Sequence, residues 1–342
     1  KGLGEGETPN SSTIWSLKSG SILTENSPIT LSWKNNKGVI FEKTISIDEN
    51  YMFEISQSVI NGSSKNIQLY PYGNLTRNGQ PDTIGFYILH EGVVGMHDGE
   101  LIETNYGDII DLSRDEVTRE IQQNGWIGFT DKYWMSTLIP RAGQTFKMDQ
   151  KYFPDSDNFE VWMRLPPIQV NTNESTSVTT NLFVGAKEVN IIKSYQKSLN
   201  IENFVDSVDW GWFFYLTKPI FFLLDWFNSF THNMGWSIIL LTLFIKTLLF
   251  PLSYKSFVSM SRMKHLQPEM EKIKKNAGDD RAKLQQELMA LYKKEKVNPV
   301  AGCLPILLQI PVFFSLYKVL FVTIEMRHAP FIGWIKDLSA PD

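Results

Sequence analysis

The chain changes its pattern part-way along. Up to about residue 200, apolar and polar side chains alternate in short runs divided by turn residues, the period expected of half-buried strands. "VIFEKTISI", Val39 to Ile47, alternates after the turn "NNKG"; "YMFEISQSVI" leads into "NGSS" and then "IQLYPYG". These runs predict antiparallel strands joined by hairpins, and residues 1–200 are read as an all-β sandwich. "PPIQVNTNESTSVTTNLFVGAKE" continues the pattern, with a polar segment from Pro166 to Thr180 and a further strand at Asn181 to Gly185. Residues Glu188 to Leu199 are predicted to form a short helix.

From Trp210 onward the alternation gives way to long apolar runs. Trp236 to Leu252, about 17 residues with one charge, lies near the lower limit for crossing a bilayer. Val300 to Ile324 is a second candidate. Ahead of both, Asp209 to Phe230 is dense in aromatic residues and broken by Pro219 and Asp225. Trp210, Trp212, Tyr215 and Trp226 are the types that gather where headgroups meet hydrocarbon, so an interfacial helix is expected there. Between the two spans the pattern is amphipathic and predicts a helical hairpin. Phe257, Met260, Met263, Met270 and Ile273 share a face of its first arm, and Leu284, Leu288 and Leu291 a face of its second. "NAGDD" forms the turn, with Asp279 or Asp280 capping the second arm, and "NP" at Asn298 and Pro299 closes it. The predicted order is a β-sandwich domain (1–200), an interfacial helical region (201–234), a transmembrane helix (235–254), a cytoplasmic hairpin (255–298), a second transmembrane helix (299–325) and the start of an outer loop (326–342).

Charge supplies the orientation. Lys255 to Lys296 holds eleven Lys or Arg against six Asp or Glu, a net of +5, whereas the 235 residues before the first span hold 18 basic and 28 acidic, a net of −10. Basic loops stay in the cytoplasm, so the large acidic domain is expected outside, in a periplasm. The one cysteine, Cys303, falls in the second span, and no disulfide framework exists to brace the outer domain. An external domain needs an export signal, and the start "KGLGEGETPN" has none, so a truncated N-terminus is expected.

Candidate chemistry concentrates in the spans. Lys246 interrupts "LLTLFIKTLLFPLS", although a Lys at the centre of a spanning helix costs about 2.5–3.5 kcal/mol. On a wheel with Thr242 at zero, Lys246 stands near about 40° and both Ser253 and Gly235 near about 20°, one narrow polar and small stripe. Such a stripe suits a helix face lining water or protein. Snorkelling is the alternative: Lys246 precedes Lys255 by about 13 Å of helix, within partial reach of the cytoplasmic headgroups. Lys318 is expected near the outer surface, snorkelling. Gln309, flanked by Pro305 and Pro311, needs partners in hydrocarbon, either a water-filled space or neighbouring helices. His90 and His97, in "HEGVVGMHDGE", lack the companions of a metal or catalytic site, and neither a catalytic group nor a cofactor is expected. The sequons at Asn61 and Asn74 carry meaning only in a eukaryotic secretory pathway.

The stretch "GWSIILLTLFIKTLLFPLSYKSFVSMSRMKHLQPEMEKIKKNAGDD", with "MALYKKEKVNP", "GCLP" and "APFIGWIKDLSAPD", resembles the YidC/Oxa/Alb family of membrane protein insertases. These motifs cover about a third of the chain and are highly specific. "GWIGFTDKYWMSTLIP", Gly125 to Pro140, resembles the external domain of its Gram-negative branch, which implies a supersandwich related to galactose mutarotases. The resemblance implies an inner-membrane insertase and chaperone with a water-filled groove open to the cytoplasm and lipid, and one cation in the first core helix. Lys246 matches that position, usually Arg in the family; Thr242, Gln309 and Trp334 match groove or groove-adjacent positions. Met260, Met263, Met270, Asp279 and Asp280 belong to the cytoplasmic hairpin, a mobile receiving platform. Implied partners are nascent membrane proteins, the ribosome, the Sec translocon and the phospholipid bilayer. Family cores have five spans and only the first two are recognisable here, so the chain reads as a fragment. Two rival readings remain: a membrane-anchored periplasmic carbohydrate-binding or mutarotase-like protein, for which no convincing His and Glu pair emerges, and an ion-conducting protein built on the charged stripe.

Overall fold

The computed structural model describes residues 8–83, 85, 88–112, 118–278, 280–295 and 304–340. The chain divides into two compact units, one of residues 1–209 with 322–324 and one of 210–321 with 325–342.

The first unit is built on antiparallel sheets. The largest has nine strands in the spatial order Ser16–Ser19, Ile29–Lys34, Val39–Ile47, Met52–Asn61, Ser175–Ala186, Trp134–Ile139, Gly125–Thr130, Gly92–His97 and Glu100–Asn105. A four-stranded sheet, in the order Tyr72–Asn78, Asn158–Arg164, Phe146–Phe153 and Thr118–Ile121, faces part of it. Alternation explains the sandwich. Ile127, Phe129 and Leu138 from the large sheet meet Phe146, Met148, Phe159, Val161 and Met163 from the smaller one, all buried in one core. A smaller core joins Val39, Phe41 and Val59 to Ile67, Leu69 and Val170 of a two-stranded sheet. The turn predicted at "NNKG" is a hairpin closed by Asn35, whose side-chain oxygen accepts from the amides of Lys37 and Val39.

One segment differs from expectation. The strand predicted at Asn181 to Gly185 runs over Ser175–Ala186, and Ile168–Val170 is a strand as well. The Ser and Thr residues at the end of the polar segment are strand too: they pair in register with Met52–Asn61, and Thr179 donates to Ser56 across the ladder at 3.3 Å. Two helices complete the elements used here: α1 (Tyr106–Asp111) and α2 (Val189–Ser198), the latter where a short helix was expected.

The second unit is helical: α3 (Phe214–Thr231), α4 (Met234–His265), α5 (Gln267–Ala277), α6 (Arg281–Lys294) and α7 (Leu304–Val322). Pro219 and Asp225 do not break α3, which buries Thr217, Ile220, Phe221 and Leu224 and exposes Phe214, Tyr215, Trp226 and Phe230. It packs along α4, with Phe227 and Phe244 in ring contact and Thr231 hydrogen bonded to Ser237 at 2.7 Å. Asn233 starts α4 by accepting from the amide of Trp236.

The largest departure is the length of α4. It does not end near Ser253 but continues through 32 residues, carrying Met260 and Met263 with it, so neither belongs to the hairpin. Pro251 is accommodated inside it. Nothing in the residues after Ser253 breaks a helix; only their polarity changes, and polarity marks the solvent rather than the backbone. The hairpin proper is α5 and α6. Ala277 and Leu291 are buried in it, Tyr292 donates to the Met270 sulfur at 3.8 Å, and the side chain of Asp280 caps α6 by accepting from the amide of Lys283. Asp279, Asn298, Pro299 and Cys303 lie outside the described residues.

Candidate functional site

Helix α4 is long and apolar enough to cross a membrane, and Ile306–Val322 of α7 forms a shorter apolar helix. Lys246 stands in the middle of the apolar part of α4, exposed, with Leu243, Phe244, Leu248 and Phe250 exposed around it. Thr242, one turn earlier, is half-buried, and its hydroxyl donates back to the carbonyl of Ile238 at 2.8 Å, which satisfies it within the helix. The two therefore share a face, as the wheel required.

Gln309 is half-buried on α7 between exposed Leu308 and Ile310. Trp334 is 81% exposed, in the segment following α7. That segment docks on the N-terminal end of α4. The Asn233 side-chain amide donates to the carbonyl of Phe331 at 2.9 Å, and the rings of Trp236 and Phe331 lie 5.5 Å apart, edge to face. Lys246 is ten residues beyond Trp236 along α4, about 15 Å in axial rise. Among the described residues no hydrogen bond or ion pair joins Lys246 to Gln309 or Trp334. The structure brings Lys246 and Thr242 together, and leaves Gln309 and Trp334 on separate segments.

One member of the stripe, Gly235, faces protein. Gly235 is small because Phe331 lies against it: a Cβ at that position would meet Cδ2 of Phe331 at 2.1 Å. Lys318 also departs from expectation, being 3% exposed. Its side chain packs on Gly211, where φ is +69° and a Cβ would stand 3.2 Å from Lys318 Cε. Phe213 and Phe314 add a ring contact at 5.6 Å beside it. The turn holding Gly211 could not be placed against α7 from sequence spacing alone.

In the loop after α7, Asp337 organises a tight network. Its carboxylate accepts from the hydroxyl and amide of Ser339 and from the amide and imidazole of His328. The Ser339 hydroxyl and amide, opposed by partial burial and aided by His328, hold its pKa down at about 2. In the β unit, His90 is a structural residue: one ring nitrogen faces the Asn105 side-chain oxygen at 3.1 Å and the other the Val93 carbonyl at 2.9 Å. Among the described residues no cluster of three or more His, Cys, Asp or Glu is placed to hold a metal ion.

A β-rich domain joined to a helical unit with a membrane-length helix defines a class, a membrane protein that carries a large folded β domain. Residues 1–223 match the YidC periplasmic domain and residues 226–342 the 60Kd inner membrane protein family. The chain belongs to the YidC family. It is 55% identical to the membrane protein insertase YidC of Dinoroseobacter shibae, over 98% of this chain and 56% of that protein. It is 53% identical to that of Jannaschia sp., over 99% and 58%. The chain thus spans little more than half the length of these curated relatives. A galactose mutarotase related enzyme from Lactobacillus acidophilus overlaps 50% of this chain and 71% of its own, with 13% identity and a TM-score of 0.34, too remote to carry an argument.

Proposed function

We propose that this chain is part of a membrane protein insertase and chaperone, and that α4 carries the cation of its hydrophilic groove. The observation behind this reading is Lys246, an exposed charge within the apolar stretch of a membrane-length helix, in a chain 55% identical to a protein named as an insertase. If Met234 marks the outer edge of the hydrocarbon, Lys246 lies about 18 Å into a layer of about 30 Å, in its cytoplasmic half.

The physics follows from that depth. A hydrophilic tail of a nascent protein must cross hydrocarbon, where each unsatisfied polar group costs several kcal/mol. A groove holding water shortens the dry path. A cation at its inner end attracts acidic groups of the tail by about 4 kcal/mol at 4 Å in an intermediate dielectric, against about 1 kcal/mol in bulk water. Thr242 and Gln309 supply neutral hydrogen-bonding capacity, and Trp334 borders the outer end. The client's apolar segment then leaves sideways into lipid, driven by burial. Within this reading the hairpin α5–α6, with Met270 and the Asp280 cap, receives the client, and ribosome and Sec translocon are partners on the two routes of delivery.

The test uses the full-length protein. Lys246→Glu is expected to abolish insertion of a client with an acidic tail, and Lys246→Arg to retain it, measured by protease protection of the translocated tail in proteoliposomes. Equal activity of the two variants refutes the role of the charge.

A further inference from the structure

The sandwich is lopsided, with nine strands in one sheet and four in the other. The last strand of the smaller sheet, Tyr72–Asn78, lies over Leu138 of the larger, where a Cβ on Gly73 would stand 3.1 Å from the Leu138 side chain. Past Trp134–Ile139 the larger sheet goes on through Ser175–Ala186, Met52–Asn61 and Val39–Ile47. Among the described residues, the two-stranded sheet packs on these strands at one end, around Val39, Phe41 and Val59. Residues opposite one another in a ladder share a face. Leu182, which packs on the main core, therefore has Phe53 and Ile47 beside it, and Thr180 on the same face has Ile55, Ile45 and Ile29. These five apolar side chains share the face of core residues but are only half-buried.

The free edge of Tyr72–Asn78 borders that face. The amide of Gly79 donates to the Asp157 carbonyl and the amide of Leu165 to the Pro71 carbonyl. Odd-numbered residues of the strand thus bond to Asn158–Arg164, and the even-numbered ones turn their amides and carbonyls to the open side. Gln57, next to Ile55 on the uncovered face, agrees with this direction: its side-chain amide donates to the Tyr72 carbonyl at 3.2 Å. Among the described residues nothing pairs with the main chain of Asn74 or Thr76. Neither Pro nor Lys stands on this edge, and its register carries no bulge, so the usual guards against a further strand are missing.

A row of unpaired amides and carbonyls at strand spacing, beside an apolar floor, matches an extended polypeptide; an acyl chain has no groups to meet that row. We propose that the Tyr72–Asn78 edge takes up an extended stretch of client polypeptide as a further strand of the smaller sheet, with every second side chain packed on Phe53 and Ile55. Lys43, opposite Gln57 in the ladder, offers a cation to an acidic side chain of that stretch. Its ammonium lies 5.5 Å from the centre of the Trp15 ring and, among the described residues, has no carboxylate partner. The identity of the occupant rests on the insertase reading above, whereas the strand site rests on the geometry of the sandwich.

The probe is a short fluorescent peptide alternating Val and Thr, with Glu in place of the central Val, titrated against the full-length protein in nanodiscs. N-methylation of every second peptide amide is expected to weaken binding about tenfold in one parity and to leave it unchanged in the other. Thr76→Pro removes one open-side amide and keeps the ladder to Asn158–Arg164, and is expected to weaken binding about tenfold as well. Lys43→Gln is expected to weaken the Glu peptide severalfold and to leave a Gln counterpart unaffected. Absence of binding, or equal effects of the two methylation parities, overturns the proposal, since apolar adhesion alone ignores the backbone. In a second arm, p-benzoylphenylalanine at position 55 is expected to cross-link a client arrested during insertion, and at position 58, on the opposite face, to give no cross-link. No cross-link at position 55 overturns the client as occupant. Were Lys246→Glu to insert clients normally while the parity effect persisted, the insertase reading would fall and the strand site would stand.

Discussion

Gly235 has no room for even a methyl group, because the ring of Phe331 occupies the space a Cβ would fill. Gly235→Ala should push that ring away from the start of α4 and cost about 1–3 kcal/mol, as overpacking does. Phe331→Ala in the same chain should recover part of the loss, which thermal unfolding of the single and double variants checks. Asp337, in the same loop, sets a pH limit. Its hydrogen bonds hold the carboxyl at about 2 in the folded protein, below the ordinary aspartate range of about 4, so its contribution is complete above pH ~4 and is lost as pH falls through about 2. Amide exchange at His328 and Ser339 should stay slow from neutral pH down to that window and accelerate below it, and Asp337→Asn should bring the acceleration to neutral pH. Neither Gly235 nor Asp337 advertised its partner in the sequence. A glycine in an apolar run and an aspartate in a loop gain their roles from segments about a hundred and about ten residues away, and periodicity carries no such information.

Elements were more legible than their ends. The apolar runs announced α4 and α7, and the Asp pair before the second hairpin arm announced its cap, Asp280 for α6, whereas the Asn233 cap of α4 was not read from the sequence. Asp280→Ala should cost about 1 kcal/mol and speed hydrogen exchange in the first turn of α6, with α5 less affected. What the pattern hid was continuity. The change from apolar to polar at Ser253 was read as the end of one helix, whereas the backbone ran on to His265 because no residue there stops it. The same confusion of polarity with irregularity hid the first half of the Ser175–Ala186 strand, whose Ser and Thr side chains pair with like residues across the ladder. The charge in the apolar run stood out for the opposite reason: a Lys among Leu, Ile and Phe is costly enough that either snorkelling or a structural or functional purpose has to explain it. Lys318 shows that such a purpose need not be solvation, for its side chain is buried against Gly211.

At the scale of the whole chain, the two regimes of patterning became two compact units, and the β unit has a core drawn from its own residues. In the β unit that core is closed between two sheets, and Phe159 is at its centre, 1% exposed, with the rings of Tyr106 at 5.0 Å and Tyr152 at 4.7 Å. Truncating it leaves a cavity no neighbouring strand can fill without leaving its register, so Phe159→Ala should cost about 3–5 kcal/mol. No disulfide is available to absorb such a loss, since the only cysteine is Cys303. The helical unit holds its elements by different means, the α3–α4 packing and the α5–α6 pairing, none of which involves Phe159. Thermal melting of the full chain followed by circular dichroism should therefore show the strand signal lost at a lower temperature in Phe159→Ala and the helical signal lost at the wild-type temperature. A common shift of both signals would mean that the stability of the helices depends on the sandwich, and that a lesion outside the bilayer is felt by the helix that carries Lys246.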